Sequence, residues 1–215
     1  ATSSWAVFNN GAFDDSGYAW VPQYAGYIDR YTTGYSTDQP GTAGNQTGMK
    51  KTATNVQYEN ISGYGNLPLL RKRNFDNTDF NMFNVLRDSN YNPRYGWPLR
   101  MLLLNQAIDI SKFKYITVKC YCNVGNQNTK VAVYLCPSNK KSFGISKYAL
   151  NANRVISGIY TSEKMAIADF YWENSQNVSI KAERPTGQCF VGIGAYHQST
   201  AANYPICMYG LEFSN

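Results

Sequence analysis

Three runs late in the chain alternate apolar and polar residues, and each carries a cysteine in phase with its apolar face. In FKYITVKCYC, Ile116, Val118, Cys120 and Cys122 share one parity. In QCFVGIGAY, Cys189 goes with Val191, Ile193 and Ala195, and in ICMYGLEF, Cys207 goes with Tyr209, Leu211 and Phe213. A period of two sends successive side chains to opposite faces of a strand. A chain built on such runs folds as sheet, with one face of each strand in a core. Cysteines in that phase read as buried, reduced thiols packing as small hydrophobes. That usage fits synthesis in a reducing compartment.

From about residue 99 onward the pattern predicts strands at Leu99–Leu104, Phe113–Cys122, Lys130–Cys136, Val155–Tyr160, Val178–Ala182, Gln188–Ala195 and Ile206–Phe213. Turn-rich pieces such as NVGNQN and ERPTGQ separate them. Earlier candidates are Trp5–Phe8, Asn55–Tyr58, Leu67–Arg71 and Met82–Arg87. Short strands at this spacing point to an all-β fold, an antiparallel jelly-roll β-sandwich with long polar loops in the N-terminal half. Two segments resist assignment. Tyr24, Tyr27, Tyr31 and Tyr35 fall at helical spacing, yet Gly26, Gly34 and Thr32-Thr33 are poor helix material. Ser162 with Glu163 could open a helix over 162–174, but MAIADFYW also reads as a strand.

No repeat or long linker divides the chain, so residues 1–215 are expected to form one β-sandwich domain. The chain begins without methionine, which suits a piece excised from a longer protein. The longest apolar block, MLLLNQAI, is too short to span a bilayer, so no membrane association is expected.

Charge and motifs argue against several function classes. The net charge is +6, but the basic residues are dispersed and the one tight cluster, Arg71-Lys72-Arg73, reads as a solvated loop rather than a nucleic-acid contact. Five cysteines and one histidine make a poor zinc site. Fourteen acidic residues include one adjacent pair, Asp14-Asp15, and no organised acid/base set, so the chain reads as a non-enzyme. His197 follows a strand and reads as an exposed loop histidine. Calcium near Asp14 and Asp15 is the one cofactor worth naming, and a solvated turn explains the pair better.

The aromatics carry more. Eighteen tyrosines and four tryptophans exceed what a core requires. The parity opposite the cysteines carries Phe113, Tyr115, Thr117, Lys119 and Tyr121 in one run, and Phe190, Gly192, Gly194 and Tyr196 in another. Such second faces can be covered by the Tyr-rich first half, covered by another subunit, or left open to stack a ligand. The loop DSNYNPRYGW adds rings beside polar side chains. Trp20, Tyr24, Asn90, Tyr91, Asn92, Arg94, Tyr95 and Trp97 are therefore the expected ligand-binding residues. Loops expose rings that a sandwich holds rigid.

Three segments, WAVFNNGAFDDSGYAW, IDISKFKYITVKC and GQCFVGIGAYHQSTAANYPICMYGLEF, resemble jelly-roll, carbohydrate-binding-module-like domains of tail fibre or receptor-binding proteins from phages and prophages of Gram-positive gut bacteria. Asn9-Asn10-Gly11, Ile108 to Val118 and Tyr209 to Phe213 stand where that family has an NNG turn, an IDxSxYKxIxV lead into a central strand, and a closing GLEF strand. The resemblance covers the two ends and the middle; residues 36–80 depart from it. It implies a virion appendage that engages bacterial surface carbohydrate, with an extracellular location as the alternative. Phage fibres being commonly trimers, it also implies a homo-oligomer. The rival expectation is a structural virion protein, a head fibre or decoration subunit, whose aromatics form subunit contacts.

Overall fold

The structure, a computed structural model, describes residues 3–25, 49–51, 56–72, 83–87, 93–98, 100–137, 147–170, 186–197 and 204–215. The chain runs through β1 (Ser4–Asn9), β2 (Ala12–Phe13), β3 (Trp20–Ala25), β4 (Met49–Lys51), β5 (Tyr58–Ile61) and β6 (Gly65–Arg71). It continues through β7 (Phe83–Arg87), β8 (Pro93–Pro98), β9 (Arg100–Leu104), β10 (Ile108–Asp109) and β11 (Tyr115–Val124). The remaining strands are β12 (Asn128–Pro137), β13 (Lys147–Asn153), β14 (Ile156–Thr161), β15 (Met165–Ala166), β16 (Gln188–His197) and β17 (Ile206–Ser214). The expected strand Val178–Ala182 lies outside the described residues, as does TTGYSTDQPGTAGNQTG (32–48), the most loop-like run of the polar first half.

Two antiparallel sheets form. The first has the order β14-β11-β17-β1-β2, with β15 added to β11 and the β5–β6 hairpin joined to β17 through β6. The second has the order β13-β12-β16-β9-β3-β4, with β10 on β16; β7 and β8 pair as a separate hairpin. The chain passes repeatedly from one sheet to the other. β11 and β17 lie in the first sheet and β12, β13 and β16 in the second, which makes the fold a jelly-roll β-sandwich.

The core forms between the sheets from the faces that alternation assigned to it. Ile116, Val118, Cys120 and Cys122 of β11 meet Val131, Val133 and Leu135 of β12 and Cys189, Val191, Ile193 and Ala195 of β16. The outer face of the second sheet is also closed. Ala132, Tyr134, Gly192 and Gly194 are buried, and the β7–β8 hairpin comes against β16 and β3. A cover drawn from the first half of the chain thus lies over the glycine-rich face.

Local chemistry explains the junctions. Asn10 and Gly11 both have positive φ, 51° and 81°, and join β1 to β2 as a two-residue hairpin turn, the geometry that Asn-Gly favours. In IDISK, the Asp109 carboxylate accepts the Ser111 N–H at 3.1 Å and caps a 3₁₀ turn, Ile110–Lys112, that leads into β11. Ser162 opens no helix. Its Oγ accepts the Val118 N–H at 2.9 Å and donates to the Glu163 carbonyl at 2.8 Å, carrying the ladder of β11 across the gap between β14 and β15. Arg71 is likewise no loop residue: it sits buried at the end of β6 and donates from Nη1 to the Lys72 carbonyl at 2.9 Å. Lys72 in turn pairs with Glu59 at 2.9 Å.

One parity assignment fails for a clear reason. Cys207 and Tyr209 do not share a face with Leu211 and Phe213. The β11–β17 register shifts between Lys119, opposite Gly210, and Cys120, opposite Met208, so one extra residue of β17 is inserted there. A bulge of this kind reverses the facing of everything beyond it. Leu211 and Phe213 therefore point into the main core, while Cys207 joins Ile61, Leu67 and Leu69 in a second cluster.

Candidate functional site

The outer face of the first sheet stays open over most of β11. Tyr115, Thr117, Lys119 and Tyr121 occupy successive same-face positions there, all half-buried. At roughly 3.4 Å per residue, the row from Tyr115 to Tyr121 spans about 20 Å. That is room for an oligomer rather than a single small ring.

Three tyrosines close one end of the row. Tyr64 stands on the turn of the β5–β6 hairpin, where Gly63 and Gly65 take positive φ and the Tyr64 N–H bonds the Ile61 carbonyl at 2.9 Å. Its ring meets Tyr209 edge-on, 5.5 Å between centroids at 87°, and Tyr121 at 5.8 Å and 49°. Tyr121 and Tyr209 pack beneath it against the second cluster, and Tyr64 remains 40% exposed. The bulge in β17 is what turns Tyr209 outward to complete the trio.

The middle of the face is a cavity of about 310 Å³. Thr117 and Lys119 of β11, Thr161, Lys164, Glu212 and Asn9 line it. Lys119 lies flat across β17: a Cβ added at Gly210 would stand 3.3 Å from the Lys119 Cβ and 3.4 Å from its Cδ. The far end is marked by the Lys164 ammonium, 5.8 Å from the centre of the Tyr115 ring.

Of the residues expected to bind ligand, Trp20 alone has a described side chain. Trp20 is not a loop ring. It lies in β3, 6% exposed, T-shaped against Phe8 at 5.4 Å and beside Phe13 at 5.5 Å, so the core covers it. Tyr24 belongs to β3, and Arg94, Tyr95 and Trp97 belong to the strand β8 rather than to a loop; their side chains are outside the described residues. Asn90, Tyr91 and Asn92 also lie outside them. Sequence reasoning did mark Tyr115, Lys119 and Tyr121 as a spare face. It missed Tyr64, Lys164 and Glu212, and it placed Tyr209 in the core.

His197 is not the exposed loop residue that its sequence position suggests. It is 2% exposed, with Nδ1 at 2.7 Å from the Thr129 Oγ and its ring edge-on to Tyr204 at 5.3 Å. At the Asp14-Asp15 pair, Asp15 Oδ1 accepts the Gly17 N–H at 2.8 Å. Among the described residues, no group of three or more His, Cys, Asp or Glu side chains comes together as a metal site would require. Among them, too, no helix is long and apolar enough to cross a membrane.

No protein-family model matches the chain, and no curated protein matches its sequence. Among solved structures, a carbohydrate-binding module specific for non-crystalline cellulose, CBM28, is similar over 76% of this chain and 78% of that one, at 11% identity and a TM-score of 0.32. A likeness that distant carries no functional argument.

Proposed function

We propose that the protein is a non-catalytic glycan-binding domain, carried on a phage tail fibre or related appendage, that engages polysaccharide on the host cell surface. The observation that carries this reading is the Tyr64–Tyr121–Tyr209 trio on an otherwise open sheet face. Flat phenol rings match the apolar face of a pyranose, and their hydroxyls reach its rim. Tyr121 and Tyr209 are set by β11 and β17, and Tyr64 packs on both from its turn, so little ordering cost falls on binding. The 40% exposure of Tyr64 leaves ring surface to stack on.

The non-catalytic part is supported by His197, which is sealed in the interior and bonded to Thr129. The appendage part rests on the resemblance of the chain's ends and middle to phage tail domains. In that setting the copies would assemble as a homo-oligomer, with trimers the first to look for by light scattering.

Retention of the protein by host cells and by their purified surface polysaccharide tests the reading, with reducing-sugar release measured on the same material. Retention without release is expected. Turnover abolished by a single carboxylate substitution would overturn the non-catalytic assignment, and a folded protein retained by no surface polysaccharide would overturn the glycan assignment.

A further inference from the structure

The cavity beside the tyrosine trio holds charged side chains that the fold does not use. Lys119 and Glu212 are diagonal neighbours across the β11–β17 ladder, Lys119 opposite Gly210 and Thr117 opposite Glu212. Opposite charges so placed are within reach of a cross-strand pair. Yet among the described residues Lys119, Lys164 and Glu212 form no ion pair. Lys119 is held by its stem over Gly210, where any side chain would crowd it, and the Lys164 ammonium leans toward Tyr115. Ser162, also on the cavity wall, has its hydroxyl committed to Val118 and Glu163. The cavity therefore offers two ammonium groups against one carboxylate, together with the Thr117 and Thr161 hydroxyls, in a recess of about 310 Å³.

Resting on the glycan reading above, we infer that this cavity takes an anionic substituent of the bound polysaccharide, a carboxylate or a phosphate. Lys119 and Lys164 hold the charge, and Glu212 accepts hydroxyl donors from the same sugar. Two lysines lining one recess of about 310 Å³ attract an anion more strongly than either would alone. One carboxylate offsets one of them, which leaves the recess complementary to a single negative charge. The trio next to it supplies stacking and is indifferent to charge, so the two parts divide affinity from selectivity.

An array of bacterial surface polysaccharides, sorted into neutral, carboxylate-bearing and phosphate-bearing members, tests this with three proteins: wild type, Lys119→Met with Lys164→Met, and Lys119→Arg with Lys164→Arg. Methionine keeps the aliphatic stem over Gly210, and melting temperatures confirm that each variant is folded. The expected result is at least tenfold preference of the wild type for anionic members, lost in the methionine variant and kept in the arginine variant. The arm that binds identifies the anion as carboxylate or phosphate. Equal retention of neutral and anionic members, or a preference that survives the methionine variant, overturns the inference and leaves the glycan reading standing. No retention of any member by the folded wild type overturns both.

Discussion

The imidazole of His197 and the hydroxyl of Thr129 lie 2.7 Å apart in the interior, on neighbouring strands of the second sheet. Thr129 also reaches the Gln127 carbonyl at 3.2 Å. If the hydroxyl donates there, it accepts the Nδ1–H of His197, a tautomer assigned from the network. Nε2 is then bare, buried and without a hydrogen-bond partner among the described residues. Burial first, and the Arg71 charge second, lower the His197 pKa from its ordinary value.

A histidine whose folded pKa is depressed stabilises the fold fully above the unfolded value and less as pH falls below it. The unfolded chain takes up a proton that the folded one refuses. Stability should therefore drop from about pH 7 to about pH 5, where few carboxylates titrate. His197→Gln, which keeps a group for Thr129 to bond, should flatten that dependence. An unchanged slope in the variant would show that His197 titrates freely in the fold.

Gly11 and Gly63 offer a controlled comparison of strain with crowding. Both take positive φ, 81° and 85°, but a Cβ at Gly11 would stand 2.7 Å from the Leu67 Cδ2, while one at Gly63 meets nothing within 4 Å. Gly63→Ala should cost about 1 kcal/mol for backbone strain alone. Gly11→Ala adds a clash where the β1–β2 turn packs on the second cluster, and should cost on the order of 2–3 kcal/mol. Denaturant melts of the two variants measure the difference; equal losses would contradict the packing of Leu67 under the turn.

The thiols report on the same packing. Cys120, Cys122, Cys189 and Cys207 are free and buried. Loss of hydration pushes Cys122, Cys189 and Cys207 up to about 12 and Cys120 well above its usual range. In a Cys136→Ser background, a bulky thiol reagent near neutral pH should modify these four only as fast as the protein opens. Rapid labelling of the native protein at any of them would place that side chain at the surface.

Alternation made the core legible because β11 and β16 carry no inserted residue of their own along the main core, and period two then sorts their side chains without error. Where a bulge intervenes, parity misleads. Leu211 and Cys207 sit an even number apart yet face opposite ways, and the tyrosine trio depends on that reversal. The same cause hid β13, whose buried neighbours Ala149 and Leu150 lie beside a register shift between Val131 and Ala132. Tyr64 was illegible for another reason. It reaches Tyr121 and Tyr209 only because β6 pairs with β17 and swings a hairpin turn over the sheet, a long-range relation that local pattern does not encode. Trp20 read as a ligand ring from its tyrosine-rich surroundings, but its strand pairs with β9, and pairing there carries the indole into the core.

On the proposed reading, Tyr64 is a binding ring held by the fold rather than a prop of it. Its 40% exposure and its place on a turn predict that Tyr64→Ala lowers the melting temperature only slightly. Loss of a stacking anchor should cost about 1–3 kcal/mol of binding, by analogy with hot spots in interfaces. The decisive measurement is the affinity of wild type and Tyr64→Ala for the host surface polysaccharide, with melting curves recorded on the same samples. The expected result is about a fivefold or greater loss of affinity with melting nearly unchanged. Unchanged affinity in a variant that melts much earlier would contradict it, and would make the trio a packing cluster of the sandwich.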